Sequence, residues 1–140
     1  MKIMAIDYGD VRTGVAVSDE SASLTGDAWV IRERKQDAAA QAIATEAAAR
    51  GVGAIVIGYP RNMDGSVGPR AEKSKSLAES VRALCDIEVV LWDERMTTLS
   101  AQRILTDNGK YGKKRKNTID AVAASVILES YLQAKKANGE

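Results

Sequence analysis

The sequence predicts an α/β domain in which three short strands form an antiparallel meander and two further strands, each reached through a helix, lie parallel to the first. Three observations carry that expectation. Apolar runs at 3–7, 13–18 and about 27–32 are separated by turn-forming residues alone. Val52-Gly53-Ala54-Ile55-Val56-Ile57-Gly58 is almost continuously apolar, the pattern of a parallel strand covered on both faces. The segments on either side of that run show helical periodicity and helix start and stop residues.

The first strand ends at Asp7 and opens the turn Tyr8-Gly9-Asp10-Val11-Arg12, after which 13–18 returns antiparallel and a polar hairpin leads to the third strand. Gln36 to Arg50 turns to alanine with Gln and Glu, and Gly51 stands where a helix C-cap glycine belongs. The fourth strand then leads into Tyr59 to Gly68, a loop of Pro, Asn, Asp and Gly, with Pro69 in the first turn of the next helix. Ala71, Ser74, Leu77, Ala78, Val81, Leu84 and Cys85 give that helix one buried stripe, on which Cys85 is a core residue rather than a nucleophile. Ile87 to Trp92 is the fifth strand, Leu99 to Asn108 a helix stopped by Gly109, and Asn117 caps a last helix running to about Lys135. No repeat or linker divides the chain, so 1–140 reads as a single domain with a basic loop at 110–117 and a disordered tail from about 136.

A chain of 140 residues buries about two thirds of its unfolded surface, enough to fold without a disulfide or structural metal. The single cysteine cannot form an internal disulfide and no charged-apolar-small leader opens the chain, so a cytoplasmic protein is expected. No apolar run approaches the roughly 20 residues that span a bilayer. Histidine is absent, which excludes a Ser-His-Asp triad, a Cys-His pair and every histidine-ligated metal site. Acid-base or metal chemistry falls to carboxylates. Net charge is only +1, yet Lys110-Tyr111-Gly112-Lys113-Lys114-Arg115-Lys116 holds five positive charges in seven residues. Taken alone, such a run is a solvated loop.

The ligand crevice of a sheet with parallel strands lies at their carboxyl ends, where Asp7 and the pair Asp93-Glu94 both fall. Asp7 beside Gly9 and Gly14 can hold a cation while bare backbone approaches a phosphate, although Asp and Gly also suit an ordinary hairpin turn. Strand alternation turns one member of Asp93-Glu94 toward the crevice, and periodicity does not choose which. Asp120 shares an apolar helix face with Ala123, Ala124, Ile127 and Tyr131, where a buried charge needs a partner. The competing account places Asp120 in the first turn of its helix, favoured by the macrodipole. Three acids converging on one edge, with Arg95, Thr97 and Thr98 beside one of them, favour a hard divalent cation and phosphodiester chemistry.

Four segments together, Asp7-Tyr8-Gly9-Asp10-Val11-Arg12-Thr13-Gly14, Gly58-Tyr59-Pro60-Arg61-Asn62-Met63-Asp64-Gly65-Ser66, Asp93-Glu94-Arg95-Met96-Thr97-Thr98 and Asp120-Ala121-Val122-Ala123-Ala124, resemble the YqgF family, also called RuvX, over residues 3 to about 132. The resemblance implies an RNase H-like fold with a five-stranded mixed sheet, three strands antiparallel and then two parallel, flanked by helices. It implies a nuclease that processes the 5' end of pre-16S rRNA, or alternatively a Holliday junction resolvase. Asp7, Glu94 and Asp120 become the catalytic metal-binding set for Mg2+ or Mn2+, as two ions. Arg95 would contact the scissile phosphate or orient Glu94. Arg12, Arg61, Asn62, Arg70 and Thr97 are candidate strand contacts, with Gly9 and Gly65 permitting close backbone approach and Lys113, Lys114 and Arg115 gripping the substrate backbone. Relatives of the RuvC type carry their second acid at the end of the fourth strand. Here that strand ends Ile57-Gly58-Tyr59-Pro60, so Glu94 must supply it from the next.

The expected partner is structured RNA or branched DNA, with a homodimer if two strands are cut symmetrically. A non-catalytic RNA-binding factor for ribosome assembly or transcription is the alternative from another class. Small-molecule phosphotransfer is disfavoured, because actin-like kinases need two such lobes.

Overall fold

Five strands, β1 (Lys2–Asp7), β2 (Arg12–Ser18), β3 (Thr25–Arg32), β4 (Val52–Tyr59) and β5 (Glu88–Asp93), form a mixed sheet in the order β3-β2-β1-β4-β5. This computed structural model describes residues 1–22, 25–61, 64–93 and 115–137, with backbone alone at 115–120 and 137. β1, β2 and β3 pair antiparallel, whereas β4 pairs parallel with both β1 and β5. The meander followed by two parallel strands is the predicted arrangement. An irregularity between Val17 and Ser18 starts β3 at Thr25, two residues before the expected boundary.

Helices α1 (Gln36–Arg50), α2 (Pro69–Leu84) and α3 (Arg115–Ala137) cover the two faces of the sheet. One core lies under α1 and α2 and takes Met4 and Ile6 of β1, Val15 and Val17 of β2, and Ile55 and Ile57 of β4. The other lies under α3 and takes Ile3, Ala5, Ala16, Ala54 and Val56, together with Ala124, Ile127, Leu128 and Leu132. β1, β2 and the Ala54–Ile57 stretch of β4 thus divide their residues between the cores by alternation. The continuous apolar run of β4 follows directly, because both of its faces are dry.

α1 ends where predicted. Gly51 takes the left-handed conformation at φ 68°, which an L side chain resists, and its N–H closes the last turn on Ala47 and Ala48. α2 begins with Pro69 at its first position and buries Ala71, Ser74, Leu77, Ala78 and Val81. The expected stripe stops there, since the helix ends at Leu84 and Cys85 is extended. Leu84 is consequently exposed, while Cys85 packs against the core and its thiol donates to the Val81 carbonyl at 3.4 Å. α3 starts by Arg115, so 115–117 are helical rather than loop and Asn117 is inside the helix instead of capping it. The predicted helix at 99–108 and the segment 110–114 lie outside the described residues. Among the described residues no helix is long and apolar enough to cross a membrane.

Candidate active site

β1 delivers Asp7 to the edge where the parallel strands end. Ile3 and Ala5 belong to the core under α3, so alternation puts Asp7, half-buried, on that same face. Its partner in the antiparallel ladder is Gly14. On the other side the register pairs Ile6 with Ile57, which makes Gly58 the next β4 position, and Gly58 in turn pairs with Trp92. Asp7 therefore stands between two strands whose adjacent residues are glycines. Neither of those two positions places a Cβ beside its carboxylate.

The structure separates the two acids that follow β5. Val89 and Leu91 pack in the core under α1 and α2, while Trp92 packs in the core under α3. Asp93 shares the parity of Val89 and Leu91 and falls on the face opposite Asp7. Glu94, Arg95 and Thr97 lie outside the described residues, as do Asn62, Lys113 and Lys114.

Asp120 occupies the sixth position of α3, and the first turn of that helix contains no acid. A macrodipole interaction fades beyond the first turn, so the capping account of Asp120 does not hold. The apolar face expected to accompany it is real: Ala124 and Ile127 are buried under the sheet and Tyr131 packs beside them. Trp92 anchors the same helix, its ring meeting Tyr131 edge-on at 5.5 Å and its Nε1–H donating to Ser130 Oγ at 3.2 Å.

The turn after Asp7 is braced by α2. Lys73 Nζ meets Asp10 Oδ1 at 3.0 Å, and that hydrogen bond, reinforced by the lysine charge, holds the exposed Asp10 carboxyl below its ordinary range. Arg70 Nη2 donates to the Tyr8 carbonyl at 3.2 Å, and burial, then the Asp10 charge, raises the Tyr8 phenol. Gly9 is needed by the chain itself, since a Cβ there would lie 2.3 Å from the Arg12 carbonyl oxygen. Gly9→Ala must shift the turn that carries Asp7, at a cost of about 1–3 kcal/mol. A thermal scan should show a fall of roughly 3–10 °C, accompanied by lost catalytic activity in the folded protein; an unchanged transition would refute this role of the turn.

Beyond β4 the loop is shaped from within. Arg61 Nε donates to the Gly65 carbonyl at 2.9 Å, with Nη2 on the same oxygen, so this predicted strand contact has part of its guanidinium engaged by its own loop. Gly65 is left-handed at φ 89°, a conformational reason for glycine there, and Asp64 Oδ1 accepts from the Ser66 N–H at 2.9 Å. Arg12 opens β2 on Asp7's face, being of one parity with Gly14 and Ala16, and Arg115 opens α3. Gly14 beside Asp7 was legible in the sequence, but the flank by Gly58 and the Lys73–Asp10 brace were not, because both join segments distant in the chain.

Among the described residues no group of three or more His, Cys, Asp or Glu is placed to hold a metal ion. Of the predicted set, Asp7 alone has a described side chain. Its carboxylate oxygen, in a chain without histidine, suits a hard cation such as magnesium or manganese.

A family model described as "RuvX: Holliday junction resolvase" matches residues 1–134. A protein of Halothermothrix orenii named "Putative pre-16S rRNA nuclease" is 42% identical over 132 residues, covering 94% of each chain. Among solved structures, RuvC of Thermus thermophilus in complex with a Holliday junction substrate superposes with a TM-score of 0.59 at 15% identity, covering 96% of both chains. The Fowlpox virus resolvase bound to Holliday junction DNA superposes at 0.61 with 11% identity, covering 96% of this chain and 99% of that one. At such identities the likeness establishes the fold, which is RNase H-like as expected.

Proposed function

This chain belongs to the RuvX family, and from that premise we propose that it is a nuclease hydrolysing phosphodiester bonds of structured nucleic acid, with the 5' end of pre-16S rRNA as its substrate. The observation that carries the reading is the position of Asp7, at the end of β1, on the face covered by α3 and between Gly14 and Gly58. Asp120 on α3 supplies a second acid to that side of the sheet. Asp93 falls on the face opposite Asp7, which leaves Glu94, outside the described residues, as the acid after β5 that this reading takes as the third member.

These three carboxylates would hold magnesium or manganese, as two ions, which supply an activated water and stabilise the leaving oxygen of the phosphodiester. The rest is the chain's own work. Gly14 and Gly58 admit the sugar-phosphate backbone to Asp7, and Arg12 on the same face offers a cation to its phosphates. Arg61, Arg70 and Lys73 hold the two loops that border the site. Arg95, Thr97, Asn62, Lys113, Lys114 and Arg115 complete the substrate contacts in this reading, in a cytoplasmic protein.

Resolution of DNA junctions is the second reading, favoured by the description of the matching family. It requires a homodimer, because two strands must be cut symmetrically, whereas trimming one RNA end does not.

Purified protein incubated with a labelled pre-16S rRNA fragment and a four-way DNA junction, in magnesium, manganese or chelator, separates them. We expect cutting of the RNA that chelator abolishes. Cutting of the junction alone would transfer the assignment to recombination. Tight binding of RNA with no cutting under any condition would favour a non-catalytic ribosome-assembly factor.

A further inference from the structure

β3 closes one side of the sheet, and among the described residues it pairs with β2 alone. Its register decides which of its backbone groups point away from that partner. Glu33 N–H donates to the Val11 carbonyl at 3.1 Å and carries the pairing of β2 with β3 one step past Arg12 and Arg32. In an antiparallel ladder, hydrogen-bonded pairs alternate with pairs that are not. Ile31, Trp29 and Asp27 therefore turn their N–H and C=O inward to β2, while Ala28, Val30 and Arg32 turn theirs to the outer rim.

Such a rim is a hazard. Ala28-Trp29-Val30-Ile31 holds no charge and no proline, and an uncharged edge strand is a template for the same strand of another molecule. An antiparallel pairing of β3 with itself is two-fold symmetric, so a second copy brings a matching strand of its own. The outward N–H of Ala28 is, however, already taken: Asp27 Oδ1 accepts it at 2.9 Å. Trp29 and Ile31 pack in the core under α1 and α2, so Asp27, of the same parity, lies on the α1 side, where Arg50 Nη1 meets its Oδ2 at 3.2 Å. Arg50 is fixed in turn. It is the last residue of α1, pairs through Nε with Glu46 Oε2 at 3.0 Å, and lies 4.1 Å over the Trp29 ring. A strand docking at Ala28 has to displace this held carboxylate, and otherwise finds at most Val30 and Arg32 for pairing.

We infer that Asp27, held by Arg50, is a latch that closes the β3 rim to a second copy of this chain. The inference stands apart from the nuclease reading. A symmetric pair of subunits, such as junction cutting needs, would form through another surface.

Sedimentation over a concentration series compares the parent with Asp27→Ala, and amide hydrogen exchange locates any contact. The Asp27 side chain is 58% exposed, so its removal leaves both cores intact, and thermal unfolding confirms that each variant is folded. Asp27→Ala should associate at least about tenfold more tightly than the parent, with the Val30 N–H gaining protection as concentration rises. Adding Ala28→Pro should abolish that gain, because proline removes the outward donor without costing a bond to β2. Arg50→Gln, which releases Asp27, should shift association the same way as Asp27→Ala; a shift with Asp27→Ala alone would overturn the part given to Arg50. Asp27→Ala protein no more associated than the parent overturns the latch, as does a gain that survives Ala28→Pro. Protection of Val30 that rises with concentration in the parent would show an open rim and overturn it too.

Discussion

Replacing Asp7 by asparagine is expected to abolish cleavage while leaving the fold intact. The substitution keeps the size of the side chain and removes the charge that a hard cation needs from its ligand. A loss on the order of a thousandfold or more, about 4 kcal/mol of barrier at roughly 1.4 kcal/mol per decade, is expected for a group that touches the reacting centre. Stability should move by less than about 1 kcal/mol, because Asp7 is half-buried at the end of its strand and lies outside both cores. Single-turnover cleavage and thermal unfolding, measured on one preparation, check both halves. A folded Asp7→Asn protein with full activity would remove the basis of the proposed function.

Leu128→Ala should give the reverse pattern. Leu128 is fully buried in the middle of α3, packed with Ile127 and Leu132 against β1, β2 and β4. Truncating a leucine in such a site costs about 2–5 kcal/mol, since the surroundings close only partly on the cavity. For a chain of this size that lowers the transition by roughly 6–15 °C, at about 3 °C per kcal/mol. Well below the transition, activity per folded molecule should stay within a few-fold of the parent, because Leu128 lies two turns along α3 from Asp120. A stability loss without an activity loss would show that this packing serves the fold and not the chemistry. An unchanged transition would contradict the core under α3.

Local chemistry made much of this legible. Gly51 could be read as a helix stop because only a left-handed residue closes that turn, and the dry run of β4 because both of its faces are buried. Leu84 was misread because helical spacing shows which residues share a stripe and not where the helix ends. Asp120 was open to a first-turn explanation for the same reason: the start of α3 by Arg115, five residues earlier, is not marked by a capping residue. Asp27 and Lys73 drew no notice, since neither lies in a motif and each acquires its meaning from a residue at least 20 positions away.

The amino-acid sequence by itself determined the order of the described strands and helices, the carboxylates at the strand ends, the exclusion of histidine chemistry and, through four motifs, the family. Those properties are local, set by backbone preference, side-chain period and residue type. Tertiary structure alone decided that Asp93 faces away from Asp7, that Gly58 of β4 flanks Asp7, and that Asp27 of β3 meets Arg50 of α1. Alternation along a strand assigns faces only relative to one another. Which face is which, and which residue stands beside which, is settled when burial of both cores locks the register of five strands at once.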